Sequence, residues 1–100
     1  MKLKIRGFEW DDGNIHKCQK HGLSIAEIES FFHYGNFVVA PDLRHSASER
    51  RLFAVGKIKY GKPVLAVFVE RSGLIRPVSV RYMHQKEWKK YEEKSSSFQN

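Results

Sequence analysis

The stretch Leu74–Glu93, with the sequence LIRPVSVRYMHQKEWKKYEE, decides the fold because it predicts a strand that runs directly into a helix. Successive side chains of a strand point to opposite sides of a sheet. Ser79 and Arg81 are therefore expected on one face, and Arg76 and Tyr82 on the other, together with the two valines between them. The valine face suits the core, which leaves Ser79 and Arg81 facing outwards.

The helical half of this stretch carries an aromatic stripe. His84, Trp88 and Tyr91 are spaced four and three residues apart, so they share one side of a helix. The lysines and glutamates between them fall on the solvent side. A cationic strand end backed by aromatic side chains suits a polyanionic ligand.

Three strand-like runs occupy the second half of the chain: Arg51–Tyr60, Pro63–Arg71 and Leu74–Tyr82. Short turns that contain glycine separate them, and connections of this length join antiparallel neighbours. An earlier apolar run, Phe37–Ala40, ends at a proline and predicts a further strand. Together the four runs predict an antiparallel meander.

The first third of the chain predicts one short strand and two helices. Alternating residues around Ile5 indicate the strand, and residues 14–20 indicate a short helix that ends at Gly22, since glycine adopts the left-handed conformation of a C-terminal cap. Ser24–Glu27 fits a capping box, in which each end residue bonds the backbone of the other. A second helix is therefore expected from Ile25 onwards.

This order predicts an α+β fold: an antiparallel sheet with two N-terminal helices packed on one face and a C-terminal helix, in the order β-α-α-β-β-β-β-α. The 100 residues, of which 41% are hydrophobic, are enough for one core and too few for two. We expect residues 1–94 to form a single domain and residues 95–100 to form a disordered tail.

The charge and the cysteine content limit the possible partners and compartments. A net charge of +7 favours RNA, DNA or an acidic protein, without choosing among them. Cys18 is the only cysteine, so no intramolecular disulfide can form, which suits a reducing compartment. No stretch has the roughly 18 apolar residues of a membrane span or the apolar segment of a leader. The expected location is the cytoplasm, away from any membrane.

The sequence gives little support for a metal, a thiol nucleophile or a nucleotide cofactor. The five histidines lack the spacing of a zinc site, and neither GxGxxG nor GxxxxGK occurs. Cys18 is three residues from His21, but it lies on the side of the first helix that is expected to face the core. We predict a protein without a metal or cofactor.

The remaining polar residues suit RNA cleavage without a metal. Such cleavage requires a base for the 2′-hydroxyl, a cation for the phosphorane and an acid for the departing 5′-oxygen. Arginine fits the second role because its fork bonds two phosphate oxygens, and histidine or glutamate fits the others. Salt bridges on the surface are the plain alternative for each arginine. The cationic and aromatic residues concerned are Lys20, His21, His45, Arg50, Arg51, Arg76, Arg81, Tyr82 and His84.

Several short motifs, read together, resemble the BrnT toxin family between about residues 8 and 92. The motifs are Phe8-Glu9-Trp10-Asp11, Gly13-Asn14, Lys17, Lys20-His21-Gly22-Leu23-Ser24, Pro41-Asp42, His45-Ser46, Glu49-Arg50-Arg51, Val55-Gly56, Leu74-Ile75-Arg76-Pro77-Val78-Ser79, Arg81-Tyr82-Met83, Glu87 and Tyr91-Glu92.

The resemblance implies a RelE-like fold and an endoribonuclease that stops translation by cutting RNA. It also implies neutralisation by a BrnA-like ribbon-helix-helix antitoxin, binding to operator DNA only through that antitoxin, and a toxin-antitoxin hetero-oligomer. Arg76, Arg81 and Tyr91 lie in regions comparable to those that RelE-like enzymes use, and Glu49-Arg50 matches the family's acid-then-arginine pattern.

The combined expectation assigns roles to single residues. Arg81 and Arg50 are predicted to bind the scissile phosphate, and Glu49, His45 or His84 to carry protons, with Tyr91 as a further catalytic candidate. The predicted RNA contacts are Lys20, His21, Arg51, Arg76 and Ser79.

Two other functions fit the same residues. A non-catalytic basic module would bind an antitoxin or nucleic acid without forming a product, and its binding would weaken with salt. A metal-dependent nuclease would lose its activity in chelator.

Overall fold

The computed structural model describes residues 4–44, 49–58 and 61–98, and its eight elements follow in the predicted order. They are β1 (Gly7–Phe8), α1 (Ile15–Gln19), α2 (Ile25–Tyr34), β2 (Asn36–Pro41), β3 (Arg51–Lys57), β4 (Pro63–Arg71), β5 (Leu74–Tyr82) and α3 (Gln85–Phe98).

The five strands form one sheet in the order β1-β5-β4-β3-β2. The strands from β2 to β5 are the predicted antiparallel meander. At the other edge β1 pairs with β5 in parallel, with Gly7 opposite Leu74, so the expectation of a wholly antiparallel sheet was wrong. A tight turn fixes the direction only of strands that follow each other in the chain, and five other elements lie between β1 and β5.

The helix boundaries near the N-terminus follow the predicted local signals. The Ser24 side chain accepts from the Glu27 amide at 3.1 Å, and the Glu27 side chain accepts from the Ser24 amide at 2.9 Å, which completes the capping box. Gly22, with a φ of 98°, lies just beyond α1 in the left-handed region. Both predictions are confirmed.

The core lies between the sheet and the helices α1 and α2. Phe32 on α2 packs edge-on against Phe68 of β4, with 5.0 Å between ring centroids. Val80 is fully buried on the same side of the sheet, opposite Ala66. We call this side the core face and the other side the open face.

A β-bulge in β5 changes which face two charged positions occupy. Val67 lies opposite Ser79 and the next residue, Phe68, lies opposite Pro77, so Val78 is an extra residue in β5. The bulge shifts the alternation by one, and Arg76 therefore shares the open face with Ser79 and Arg81. The prediction that Arg76 lies on the same face as Tyr82 was wrong. Pro77 was the available signal, because a proline within a strand favours a bulge.

The last helix begins against the open face. The Lys57 ammonium lies 5.0 Å from the centroid of the Trp88 ring, and Arg81 bonds Glu87.

Two element bounds differ from the predicted ones. β3 ends at Lys57, and positions 59–60 of the predicted strand lie outside the described residues. α3 continues to Phe98, into the stretch for which the sequence predicted a tail. Within the described ranges, no helix is long and apolar enough to cross a membrane.

Candidate functional site

Arg81 lies on the open face at the end of β5, opposite Leu65 of β4. Its guanidinium donates two parallel hydrogen bonds to Glu87, each 2.9 Å long, and Nη1 also donates to the Tyr82 carbonyl at 3.2 Å. The two charged side chains are 35% and 38% exposed. This bidentate geometry is the one in which arginine binds carboxylates and phosphates.

Glu87 holds the start of α3 as well as Arg81. The amide of His84 donates to Glu87 Oε1 at 3.1 Å, which satisfies one of the unpaired donors at the helix start. One carboxylate therefore ties the end of β5 to the beginning of α3. The sequence interpretation included Glu87 only as part of the family resemblance. The three-residue spacing from His84 was a signal of a cap that could have identified it.

The charges of this pair stabilise each other. The hydrogen bonds from Arg81, followed by the one from the His84 amide, lower the pKa of Glu87 to about 2. The same hydrogen bond raises the pKa of Arg81. A carboxylate with so low a pKa is a poor proton acceptor near neutral pH. Glu87 therefore positions Arg81 and is unsuited to carrying a proton.

The lowered pKa of Glu87 predicts how stability depends on pH. Because the folded pKa lies below the ordinary value of 4.5, the contribution is present above pH 4.5 and is lost as the pH falls towards 2. We expect Glu87→Gln to melt a few degrees below the natural chain at pH 6, and the difference to shrink progressively below about pH 5. Thermal unfolding of both proteins across this range measures it. A difference that is independent of pH would contradict the assignment.

Other cationic and aromatic groups surround the end of β5. The Lys62 ammonium lies 5.3 Å from the centroid of the Tyr82 ring, and burial is the main cause that raises the pKa of Tyr82. Gly22 approaches the same ring, since a Cβ at Gly22 would lie 3.8 Å from Tyr82 Cε2. The exposed Lys20 and His21 directly precede Gly22 in the chain, so they lie near the end of β5 on the side that Tyr82 faces. We call this group, together with Arg81, His84 and Glu87, the Arg81 end.

The arginines near the turn between β4 and β5 serve mainly as ion-pair partners. Arg76 bonds both oxygens of Asp11, at 2.8 and 3.0 Å, and lies 3.7 Å from Glu9. These contacts lower the pKa of Asp11, with the hydrogen bond from Arg76 as the largest cause. Arg71 forms an ion pair with Glu49.

The structure divides the predicted site into two groups. Arg50 precedes β3, and Arg51 and Arg76 lie on either side of Val69 in one row across the sheet. Arg76 and Arg81 are five positions apart, which corresponds to roughly 15 Å along a strand. Glu49 and Arg50 therefore lie far from Arg81, the residue with which they were predicted to act at the scissile phosphate.

The other predicted residues have the following positions. Ser79 is half-buried between the two groups, opposite Val67. Tyr91 lies on α3 with its ring 5.4 Å from that of Trp88. His84 is exposed, two residues beyond the end of β5. His45 lies outside the described residues.

The cysteine and the metal-ligand residues give no second site in the described part of the chain. Cys18 is fully buried in the core, and burial raises its pKa to about 11, so it packs as a small apolar residue as predicted. Within that part, no group of three or more histidine, cysteine, aspartate or glutamate side chains is placed to hold a metal ion.

A family model described as a ribonuclease toxin, BrnT, of a type II toxin-antitoxin system matches residues 10–87. The chain belongs to the BrnT toxin family. No curated protein sequence matches the chain. Membership identifies a ribonuclease toxin that has RNA as its substrate and an antitoxin as its partner.

The BrnT match includes both bidentate arginine pairs. It begins one residue before Asp11, the partner of Arg76, and ends at Glu87, the partner of Arg81. The two pairs have the same chemistry at opposite ends of β5. They differ in their surroundings, since the partner of Arg81 also accepts from the amide of the exposed His84 and so holds the start of α3.

Proposed function

We propose that the chain is a metal-independent endoribonuclease that cuts RNA by attack of the 2′-hydroxyl and thereby inhibits translation. The observation that supports this most is the fork of Arg81 on the open face, fixed by Glu87 and next to the exposed His84. A planar fork held ready for two oxygens matches a phosphate as well as it matches a carboxylate.

In this mechanism the phosphate of the scissile bond accepts from the N–H groups on Nε and Nη2 of Arg81 that its bonds to Glu87 and Tyr82 leave over, so Glu87 continues to hold the fork. Arg81 then stabilises the extra negative charge of the phosphorane. His84 accepts the 2′-hydroxyl proton or supplies the proton that the departing 5′-oxygen takes, and Tyr91 lies on the same helix. Lys20 and His21 contact the RNA at the rim.

The open face offers a continuation of the RNA-binding surface. Ser79 lies between the Arg81 end and the row that contains Arg51 and Arg76. Arg50, exposed at the start of β3, extends this row. We assign these residues to phosphates on one side of the cleaved bond, and Glu49 to holding Arg71 in place instead of carrying a proton.

The proposal includes the cellular setting. We propose a RelE-like domain over residues 1–94, located in the cytoplasm and neutralised by a BrnA-like ribbon-helix-helix antitoxin. The two proteins form a hetero-oligomer that reaches operator DNA through the antitoxin. The net charge of +7 supports an acidic contact surface on that partner.

Incubation of the purified chain with end-labelled RNA in excess chelator tests the activity. We expect discrete fragments that carry 2′,3′-cyclic phosphates, because the attacking group belongs to the RNA itself. Translating extract provides a parallel reaction in which ribosomes are present. RNA that remains intact in both reactions would contradict the proposal, and activity that disappears only with chelator would indicate a metal-dependent nuclease.

A binding module without catalysis is the second candidate. It is favoured by the fact that Arg76 and Arg81 both already bind carboxylates, which is the arrangement of structural ion pairs. This function predicts RNA that is retarded in a gel but uncut, with affinity that falls steeply as salt rises.

A further inference from the structure

The outer edge of β2 is open and lacks the usual protection of an edge strand. β2 is the last strand of the sheet, and within the described ranges no strand pairs with its outer side. Its sequence, NFVVAP, contains no charged residue. Exposed edges normally carry charges or bulges that prevent pairing, so an apolar edge of six residues suits the addition of a strand.

The hydrogen-bond pattern shows which backbone groups are directed outwards. The Asp42 amide donates to the Arg51 carbonyl at 2.8 Å, so this pair faces inwards towards β3. Bonded and non-bonded pairs alternate along an antiparallel ladder. Phe37, Val39 and Pro41 therefore direct their backbone groups away from β3. Pro41, which has no amide hydrogen, is one of these outward-directed residues, as expected for a proline in an edge strand.

Exposed apolar side chains and a groove border the same edge. Val38 on β2 is 50% exposed, and Tyr34 and Leu43 near its two ends are 87% and 85% exposed. A groove of about 760 Å³ at the Asn36 end of β2 lies between α2 and the end of β3 at Lys57 and Ile58. A strand that lies antiparallel to β2 would leave it at the Asn36 end, near this groove.

Charges at the two ends of β2 select the partner. Lys57, opposite Asn36 on β3, lines the groove although its ammonium lies against the Trp88 ring, and the exposed Arg44 lies beyond the buried Asp42 that follows Pro41. Glu27 is the acidic residue of the groove. A second copy of the chain would bring another net charge of +7 to this edge, which opposes self-pairing. An acidic partner is attracted instead.

We propose that an extended segment of the antitoxin, apolar in the middle and acidic at its flanks, pairs antiparallel with β2 as a sixth strand. This inference rests on the antitoxin partner that family membership provides, and it concerns a surface separate from the Arg81 end. Two strands lie between β2 and β5, so the two surfaces are about 14 Å apart across the sheet. The antitoxin is thus anchored at the edge independently of any contact with the cleavage site.

Val39→Pro and Val39→Ala form a matched pair that tests the edge. Proline removes the outward amide hydrogen and places its ring where the added strand would lie, without loss of a β2–β3 hydrogen bond. Alanine keeps the amide and loses a comparable part of the side-chain packing. The probe is the antitoxin encoded by the adjoining reading frame, purified alone. We expect Val39→Pro to weaken its binding at least about tenfold and Val39→Ala less than about threefold.

Two further measurements make every outcome decisive. Antitoxin should protect the amides of Phe37 and Val39 from hydrogen exchange, and equal exchange with and without antitoxin would overturn the proposal. Dimers of the chain alone at micromolar concentration, broken by Val39→Pro, would overturn it in favour of self-pairing. RNA cleavage by Val39→Pro without antitoxin should equal that of the natural chain. A natural chain that cuts no RNA contradicts the nuclease proposal and leaves the edge measurement valid.

Discussion

Arg81→Ala is expected to lower the rate of RNA cleavage at least about 100-fold, the usual effect of removing a group that stabilises charge in a transition state. Alanine removes a cation that the structure fixes in a two-pronged position near the start of α3. Single-turnover cleavage of labelled RNA measures the loss. Arg81→Lys should recover little of the rate, because an ammonium replaces the fork with a single point of charge.

Arg76→Ala is the matched control for this prediction. Arg76 forms the same bidentate pair with Asp11, on the same strand and the same face, but at the other end of β5. Its removal should lower the melting temperature as much as or more than Arg81→Ala does, weaken RNA binding, and leave most of the single-turnover cleavage rate at saturating RNA. Equal losses of cleavage in the two variants, or a loss that parallels unfolding, would contradict a catalytic role for Arg81.

Asn14→Ala is expected to produce the largest loss of stability from a single polar side chain. Asn14 is 2% exposed and accepts from the Asp11 amide at 2.9 Å. Its side-chain amide donates to the carbonyls of Glu9 and Pro77, both at 2.9 Å. Three hydrogen bonds in a mostly buried setting predict a loss of about 3 kcal/mol in the free energy of unfolding. For a domain of this size the melting temperature should fall by roughly 15 °C.

Asn14→Asp separates the hydrogen bond that the Asn14 side chain accepts from the two that it donates. Aspartate keeps the oxygen that accepts from Asp11 but presents a second oxygen to the two carbonyls, so it should destabilise at least as much as alanine. Urea unfolding of both variants provides the comparison. A loss below about 1 kcal/mol in both would mean that solvent readily replaces Asn14 between the first turn and β5.

The sequence predicted those parts of the fold that depend on local signals. The capping box of Ser24, the glycine after α1 and the glycine turns of the meander each act within a few residues, and each lies where it was expected. The parallel pairing of β1 was missed because it depends on a contact between residues 7 and 74, for which no turn provides a signal.

The candidate site was less predictable for the same physical reason. Chemistry alone grouped Arg50 with Arg81, since nothing in the sequence gives the distance across a sheet. The face of Arg76 depended on one extra residue, Val78, which reverses the alternation. The partners of the arginines, Asp11 and Glu87, lie 65 and 6 residues away from them in the chain. The pair of Arg81 and Glu87 could have been predicted, because the spacing of His84 and Glu87 is that of a helix cap.

The pairing of β1 with β5 also determines when during synthesis this protein becomes complete. The parallel partner of β1 is made only after residue 74, and Arg81 and Glu87 follow it in the last fifth of the chain. While these residues are still inside the ribosomal exit tunnel, the edge of the sheet cannot close and the Arg81 fork cannot be held. A contact between distant residues also forms slowly compared with local ones. β2, the strand proposed to receive the antitoxin, is synthesised before all of these residues, so this surface can form before the proposed cleavage site does.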